Sequence, residues 1–492
     1  MLFQIDFISL QKINHMTNRL IARQQECDKL QKCLDSSESE FVIVCGRRRI
    51  GKTFLVEQFF EGKYDFKFVG GHHLSAREQL SNFAKALKSY SGTKHSIFKN
   101  WFDAFDALKE YLSSLPDDRK KVVFIDEMPW LDTQRSNFVR ALEYFWNSWA
   151  ASQYNIVLVA TGSATSWMTD KLLKNRGGLH NRIRHRIYLK PFTLKETEEY
   201  LQSLSVNWDR YQIMQCYMLT GGVPFYLKMM DSQLSLAQNI DNLCFSDMGA
   251  LKIEFDELYN AIFPGADSYV DVVRTLSENK SGLTRAEISE KTKISGAFLT
   301  RILTNLERCS FIDKTGIFDN HRRDAIYRLV DFYTLFYFKF IEKNLSKDEH
   351  WWTHHIGTSK IYSWMGITFE LICMMHNAQI KSSLGISGMA TSISTWRCAP
   401  DKEHGTPGTQ IDMIIERADR IVHLCEMKYC EGTFNITKDY ETKLHNRRDI
   451  FRAKTKTRKT LVNTFVTTFG VGEGKHHSIV HSEVTMDDLF NS

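Results

Sequence analysis

Residues 46–53 read Gly-Arg-Arg-Arg-Ile-Gly-Lys-Thr. Glycines at both ends let backbone N–H groups wrap a phosphate chain, with Arg47, Arg48, Arg49 and Ile50 forming the loop between Gly46 and Gly51. Lys52 then reaches the β- and γ-phosphates, and the Thr53 hydroxyl ligates Mg²⁺. The run follows a β-branched strand and opens an apolar helix, which is the context a phosphate loop requires. A second apolar run, 122–125, ends in Asp126-Glu127. Asp126 is placed to hold Mg²⁺ and Glu127 to polarise an attacking water, so the chemistry expected is binding and hydrolysis of ATP. A third strand, 156–160, ends in Thr161-Gly162-Ser163. Ser163 either senses the γ-phosphate between the other two strands or caps the strand end.

A different constellation lies near the C-terminus. Residues 410–415 are strand-like and carry Asp412; Ala418-Asp419-Arg420 makes a turn; residues 421–428 return with Glu426 and Lys428. Residues two apart on a strand share a face, and a hairpin brings Asp412 beside them. Two carboxylates bind a hard divalent cation, and a lysine nearby positions water or stabilises phosphate charge. The alternative is an exposed cross-strand ion pair. Between 438 and 459 stand nine Lys/Arg against three Asp/Glu. Lys443, Arg447, Arg448, Arg452 and Lys454 either line a DNA backbone or form a solvated helix face.

These residues need a frame. Apolar runs at 41–45, 66–69, 122–125 and 156–161 alternate with amphipathic segments, which implies a parallel sheet covered on both faces. From 191 to about 260 the pattern is helical, broken at Gly221-Gly222-Val223-Pro224. Residues 265–330 read as a winged helix-turn-helix. Thr284 and Glu287 form a capping box, Ser295 caps a second helix seamed by Leu299, Ile302, Leu303 and Leu306, and 311–329 form a wing hairpin. The expected fold class is α/β, with a P-loop ATPase domain at 17–190, a helical lid at 191–264, a winged helix plus connector at 265–350 and an α/β nuclease-like domain at 360–492.

The chain has 492 residues, a net charge of +6 and a 43% apolar share, ordinary for a globular protein that tolerates nucleic acid as a partner without demanding it. Ten cysteines without a Cys-x-x-Cys pair argue against structural zinc and suit a reducing compartment. No secretory signal is visible at Met1, Met16 offers an alternative start, and the aromatic stretch 329–341 is too short and too charged to span a bilayer. A cytoplasmic protein without a membrane role is expected. The histidines form no metal-ligand spacing, and the aromatics at 332–340 read as a helical core seam.

The combination resembles the archaeal-type ATPases of the AAA+/STAND class. Arg23 with Glu26 resembles the family's R-x-x-E helix start. Gly178-Leu179-His180-Asn181-Arg182 resembles its P-L-Y-G-R segment, with Gly for Pro, His for Tyr and Asn for Gly. Residues 189–194 resemble the entry to the lid, and 221–224 its GG-x-P element. The resemblance implies Arg182 as an arginine finger and nucleotide-dependent self-association. The C-terminal third resembles a PD-(D/E)xK nuclease core, where Gly366-Ile367-Thr368-Phe369-Glu370 matches a G-x-x-F-E helix and implies Glu370 as a further acid near the metal. It also resembles the domain of unknown function joined to such ATPases, whose terminal motif appears at 484–490. The function expected is an ATP-binding and ATP-hydrolysing switch that binds DNA, its nuclease-like domain either cutting DNA with a metal or serving only for binding. A nucleotide-regulated signalling scaffold and a protein-directed AAA+ machine, each with an inactive nuclease-like domain, are the alternatives.

Overall fold

The computed structural model describes residues 20–163, 167–173, 178–179, 182–263, 265–318, 325–344, 348–400 and 408–491. Residues 17–19, Met16, His180 and Asn181 lie outside them. The chain divides after Pro191 into two units.

In the first unit the strands are β1 (Glu40–Cys45), β2 (Phe66–Val69), β3 (Lys121–Asp126), β4 (Ile156–Gly162) and β5 (His185–Tyr188), in the order β2-β3-β4-β1-β5. Every pairing is parallel. The helices include α1 (Gln24–Asp35), α2 (Lys52–Phe59), α3 (Ala76–Ser91), α4 (Trp101–Ser113) and α5 (Phe138–Ser148). Alternation along the strands feeds two cores. Phe41, Ile43, Val123 and Ile125 join the side chains of α3, α4 and α5, whereas Val42, Val44, Val122 and Phe124 pack with Leu30 of α1 and Leu55 and Val56 of α2. β1, β3 and β4 are buried throughout, as strands covered on both faces must be. β5 was not anticipated: only Ile187 of its four residues is buried.

The second unit begins with helices α6 (Leu194–Ser203), α7 (Arg210–Thr220) and α8 (Ala250–Ile262). The Gly221-Gly222 break is a tight turn with φ of 59° and 69°; a Cβ on Gly222 would lie 2.2 Å from the Phe192 carbonyl oxygen. Next come α9 (Ala266–Ser277), β6 (Leu283–Thr284), α10 (Arg285–Thr292), α11 (Gly296–Arg308), β7 (Ile312–Gly316) and β8 (Ala325–Leu329). β6, β8 and β7 form a three-stranded antiparallel sheet. The Thr284–Glu287 capping box is present. Ser295 occupies the cap position of α11 but makes no side-chain cap hydrogen bond, a correction to the sequence expectation.

The unit ends in a mixed sheet, ordered β13-β12-β11-β10-β9. It comprises β9 (Thr391–Cys398), β10 (Thr409–Arg417), β11 (Ile421–Lys428), β12 (Thr460–Thr467) and β13 (Ser482–Thr485). Its helices are α12 (Ser359–Met375) and α13 (Lys438–Thr455). β9, β10 and β11 are antiparallel neighbours, while α13 crosses over to place β12 parallel to β11. Phe451 of α13 packs on Trp396, Ile411, Ile414, Val422 and Leu424. Phe318, just beyond β7, joins that core, and its N–H donates to the Thr395 carbonyl at 2.9 Å. Among the described residues no helix is long and apolar enough to cross a membrane.

Candidate functional site

Parallel strands bring their carboxyl ends to one edge, where loops and helix N-termini converge. β4 lies between β1 and β3, so Thr161, Gly162 and Ser163 stand between the phosphate loop and Asp126-Glu127. Gly46 leaves β1 with φ 150°, and a Cβ there would lie 2.5 Å from the Leu189 carbonyl oxygen and from Ile50 Cδ1. Gly51 has φ 84° at the start of α2. Arg47 and Ile50 are buried; Arg48 and Arg49 are half-buried.

Lys52 is 5% exposed, and its Nζ donates to the Arg47 carbonyl (3.0 Å) and to Ser163 Oγ (2.8 Å). Ser163 donates its hydroxyl to Glu127 Oε1 (2.6 Å) and its N–H to Oε2 (3.1 Å). Thr53 Oγ1 lies 3.0 Å from Asp126 Oδ2, and Thr161 donates to Asp126 Oδ1. Burial pushes the Asp126 carboxyl up, partly offset by the Thr161 hydroxyl. Glu127 has left-handed backbone, φ 46°, and its N–H donates to Asp126 Oδ1 and Thr161 Oγ1. Six residues from the ends of β3 and β4 and the start of α2 therefore form a single hydrogen-bonded network. Thr53 and Asp126 are hard oxygen donors, which fits Mg²⁺. Sequence reasoning missed Thr161 as a partner of Asp126. It also missed His72, which follows β2 and whose imidazole is shifted down by burial, by His73 and by Arg48. Arg182 is exposed and outside the network; its backbone N–H closes a turn on Leu179 (3.1 Å). Arg23, read as a helix-start residue, is buried, donates to the Lys190 carbonyl (2.7 Å) and lies 3.8 Å from Glu26.

In the second unit, a cavity of about 850 Å³ is lined by Glu370, Asp412, Glu426, Lys428, Lys443 and Arg447 among others. Asp412 falls one step beyond the Met413–Cys425 pair, so the β10–β11 hairpin brings it opposite Glu426. The β10–β9 register slips between Ile411 and Ile414, the kind of irregularity that re-aims a side chain. Glu426 is not an exposed acid. It is 7% exposed, with Arg447 at 2.5 Å, Lys428 at 2.9 Å and the Tyr440 hydroxyl donating to it. Burial would raise its carboxyl, but Arg447, Lys428 and Tyr440 outweigh burial and hold it at about 2. Glu370 is the opposite case: burial first, then Asp412, pushes it up to about 7. Asp412 is raised by burial although Arg328 opposes this.

One expectation is corrected here. Arg447 is largely buried against Glu426 rather than lining a solvent-facing DNA track. Glu370 lines the same cavity as Asp412 and Glu426, and among the described residues no three His, Cys, Asp or Glu side chains stand together as a ready-made metal cage. Arg328, which sequence reasoning missed, reaches this site from β8. It is 4% exposed, donates to Thr395 Oγ1 (3.0 Å) and lies 3.8 Å from Asp412.

Residues 20–230 match the family model of an ATPase domain predominantly from Archaea. This segment is an ATPase domain of the archaeal type. The chain is similar to an uncharacterized protein of Methanocaldococcus jannaschii, 24% identical over 331 residues, 67% of this chain and 70% of the relative. Among solved structures, the chain is similar to a Walker-type ATPase of Pyrococcus abyssi (18% identity, TM-score 0.47, 65% of this chain and 96% of that one). It is also similar to the Aeropyrum pernix ORC2 protein, solved in ADPNP and ADP complexes (13% identity, TM-score 0.41, 64% and 91%).

Proposed function

We propose that the first unit binds and hydrolyses ATP, with the phosphates held by the 46–53 loop and Lys52. Mg²⁺ is held by Thr53 and Asp126, and water is oriented by Glu127. The observation that carries this reading is the continuous chain Lys52–Ser163–Glu127 beside Thr53–Asp126. A buried lysine and two carboxylates placed within one network at the sheet's carboxyl edge match what phosphoryl transfer needs: positioning and charge stabilisation. Phosphate release by the purified chain, compared with Lys52→Ala, tests it. Unchanged turnover in the variant overturns the assignment.

The second unit is read as a winged helix-turn-helix (α10, α11 and the β7–β8 hairpin) followed by a nuclease-like domain, the nucleotide state of the first unit switching DNA engagement by the second. Asp412 and Glu426 are the carboxylates that would hold a divalent cation there, and Lys428 would stabilise phosphate charge. The raised Asp412 and Glu370 carboxyls support this, since crowded buried acids favour a cation. A specific observation favours a second reading, a binding module without cleavage: Glu426 is already neutralised by Arg447 and Lys428. Cleavage of plasmid DNA with Mg²⁺ or Mn²⁺ separates the two.

A further inference from the structure

A second cavity of about 370 Å³ adjoins the acids of the C-terminal sheet. It lies among the end of α9, the aromatic turns Phe332–Phe336 and Tyr337–Ile341, and α12. Glu370 and Asp412 line both this cleft and the 850 Å³ cavity. In the larger space Lys428 and Arg447 are paired with Glu426 and Arg397 with Glu287, which leaves Lys443 facing it; the smaller holds Lys280, Lys339, Lys343 and Arg328, with Glu278 also in its lining.

Arg328 is the most informative group in the smaller cleft. It is 96% buried by its 4% exposure, yet its Nε and Nη1 have no hydrogen-bond partner among the described residues. Its ion pair with Asp412, at 3.8 Å, and one bond to Thr395 occupy only Nη2. Native proteins seldom leave buried donors unmet, because each gives up its hydrogen bonds to water without replacement. Guanidinium forks match phosphate oxygens in shape and charge. The three lysines at the rim add to this. The Lys339 ammonium is pushed down by burial and by repulsion from Lys360, Lys343 and Lys280, so these cations crowd one another.

We propose that this cleft binds the phosphates of a nucleic-acid strand running past Asp412 and Glu370, with Arg328 as the buried anchor and Lys280, Lys339 and Lys343 as the rim. A single small anion needs one cavity; cations on both sides of the shared acids suit a chain of phosphates. The proposal rests on the nuclease-like reading for the identity of the strand.

The test is fluorescence anisotropy of a labelled 20-nucleotide single strand with Ca²⁺ present, using the full chain. Lys280→Ala/Lys339→Ala/Lys343→Ala is compared with Lys85→Ala/Lys88→Ala/Lys109→Ala, which removes the same charge from exposed positions of α3 and α4. The rim variant should lose about tenfold or more in affinity, and the slope of log K on log salt should fall by about 2, at roughly 0.7 per contacted phosphate. The control triple should change neither. Equal behaviour of the two triples overturns the proposal, and so does a 20-mer bound no tighter than inorganic phosphate. Arg328→Met should also weaken the strand; the exposed rim variants decide the matter if that protein does not fold. Cleavage is scored separately. A chain that binds through the cleft and never cuts removes the nuclease reading alone; a chain that cuts while the rim variant binds normally removes the cleft alone.

Discussion

Ser163 holds both carboxylate oxygens of Glu127, one through its hydroxyl at 2.6 Å and the other through its backbone N–H at 3.1 Å. The same hydroxyl accepts from Lys52 at 2.8 Å. One side chain thus ties the group that would meet the γ-phosphate to the group that would orient water. Ser163→Ala deletes the hydroxyl and keeps the N–H contact. The expected result is turnover lowered about tenfold, about 1.4 kcal/mol of barrier, with nucleotide affinity changed less than threefold. Steady-state phosphate release beside equilibrium binding of a fluorescent ATP analogue checks it; an affinity loss as large as the rate loss would show Ser163 acting on binding alone.

Glu127→Gln separates chemistry from binding. The amide keeps the shape and one acceptor toward Ser163 but loses the carboxylate charge. ATP affinity should stay near wild type while most turnover disappears. A variant that hydrolyses ATP at an unreduced rate removes Glu127 from the reaction.

The two loop glycines should fail in different degrees. An alanine Cβ at Gly46 meets backbone, the Leu189 carbonyl oxygen at 2.5 Å, whereas nothing lies within 4 Å of the corresponding point at Gly51. Gly51→Ala then costs only its left-handed backbone, about 1–2 kcal/mol. Gly46→Ala must also displace β5's continuation. Melting temperatures should rank wild type above Gly51→Ala above Gly46→Ala; the reverse ranking of the two variants contradicts the geometry.

How much of this was readable in the sequence follows from range. The nucleotide network was legible because Asp126 and Ser163 follow apolar runs at strand ends while Lys52 and Thr53 open the helix after the β1 loop, and parallel strands must bring those ends together. β5 was hidden because an edge strand with one buried residue, Ile187, has no periodicity to read. The hairpin carrying Asp412, Glu426 and Lys428 was legible from a two-residue period across a short turn. Its environment was not. Arg447 and Tyr440 reach Glu426 through a helix crossover, and Arg328 comes from a different sheet. Asn305 likewise looks like an exposed position of α11, yet it donates to the Tyr269 hydroxyl on α9 at 2.8 Å. Such partners depend on packing between distant elements, which local pattern does not encode.

Glu370 gives a pH prediction. Its carboxyl is raised from 4.5 to about 7 by burial and by Asp412. A carboxyl whose folded pKa exceeds its unfolded value contributes stability that is full below about pH 4.5 and lost as pH rises through about 7. Glu370→Gln stays neutral throughout. The melting-temperature advantage of the variant over wild type should therefore grow between pH 5 and pH 8 in metal-free buffer. A constant difference across that window means Glu370 is not raised in the folded chain.

The most exposed prediction concerns Asp412 and Lys428. If the cavity holds a divalent cation for phosphodiester hydrolysis, Asp412→Ala removes Mg²⁺- or Mn²⁺-dependent cleavage. Lys428→Ala removes cleavage with metal binding largely kept, and neither changes ATP hydrolysis without DNA. A purely structural network predicts something else. Arg447 and Lys428 hold the buried Glu426 carboxylate at 2.5 and 2.9 Å, and removing one partner of a buried pair costs about 3–5 kcal/mol. Lys428→Ala would then lower the melting temperature steeply, and Asp412→Ala would strand Arg328 without its ion pair. Cleavage, metal titration and melting of the two variants therefore answer together. Loss of cutting at an unchanged melting temperature supports the metal site; loss of stability in a wild type that never cut leaves Asp412, Glu426 and Lys428 as the fastening of the C-terminal sheet.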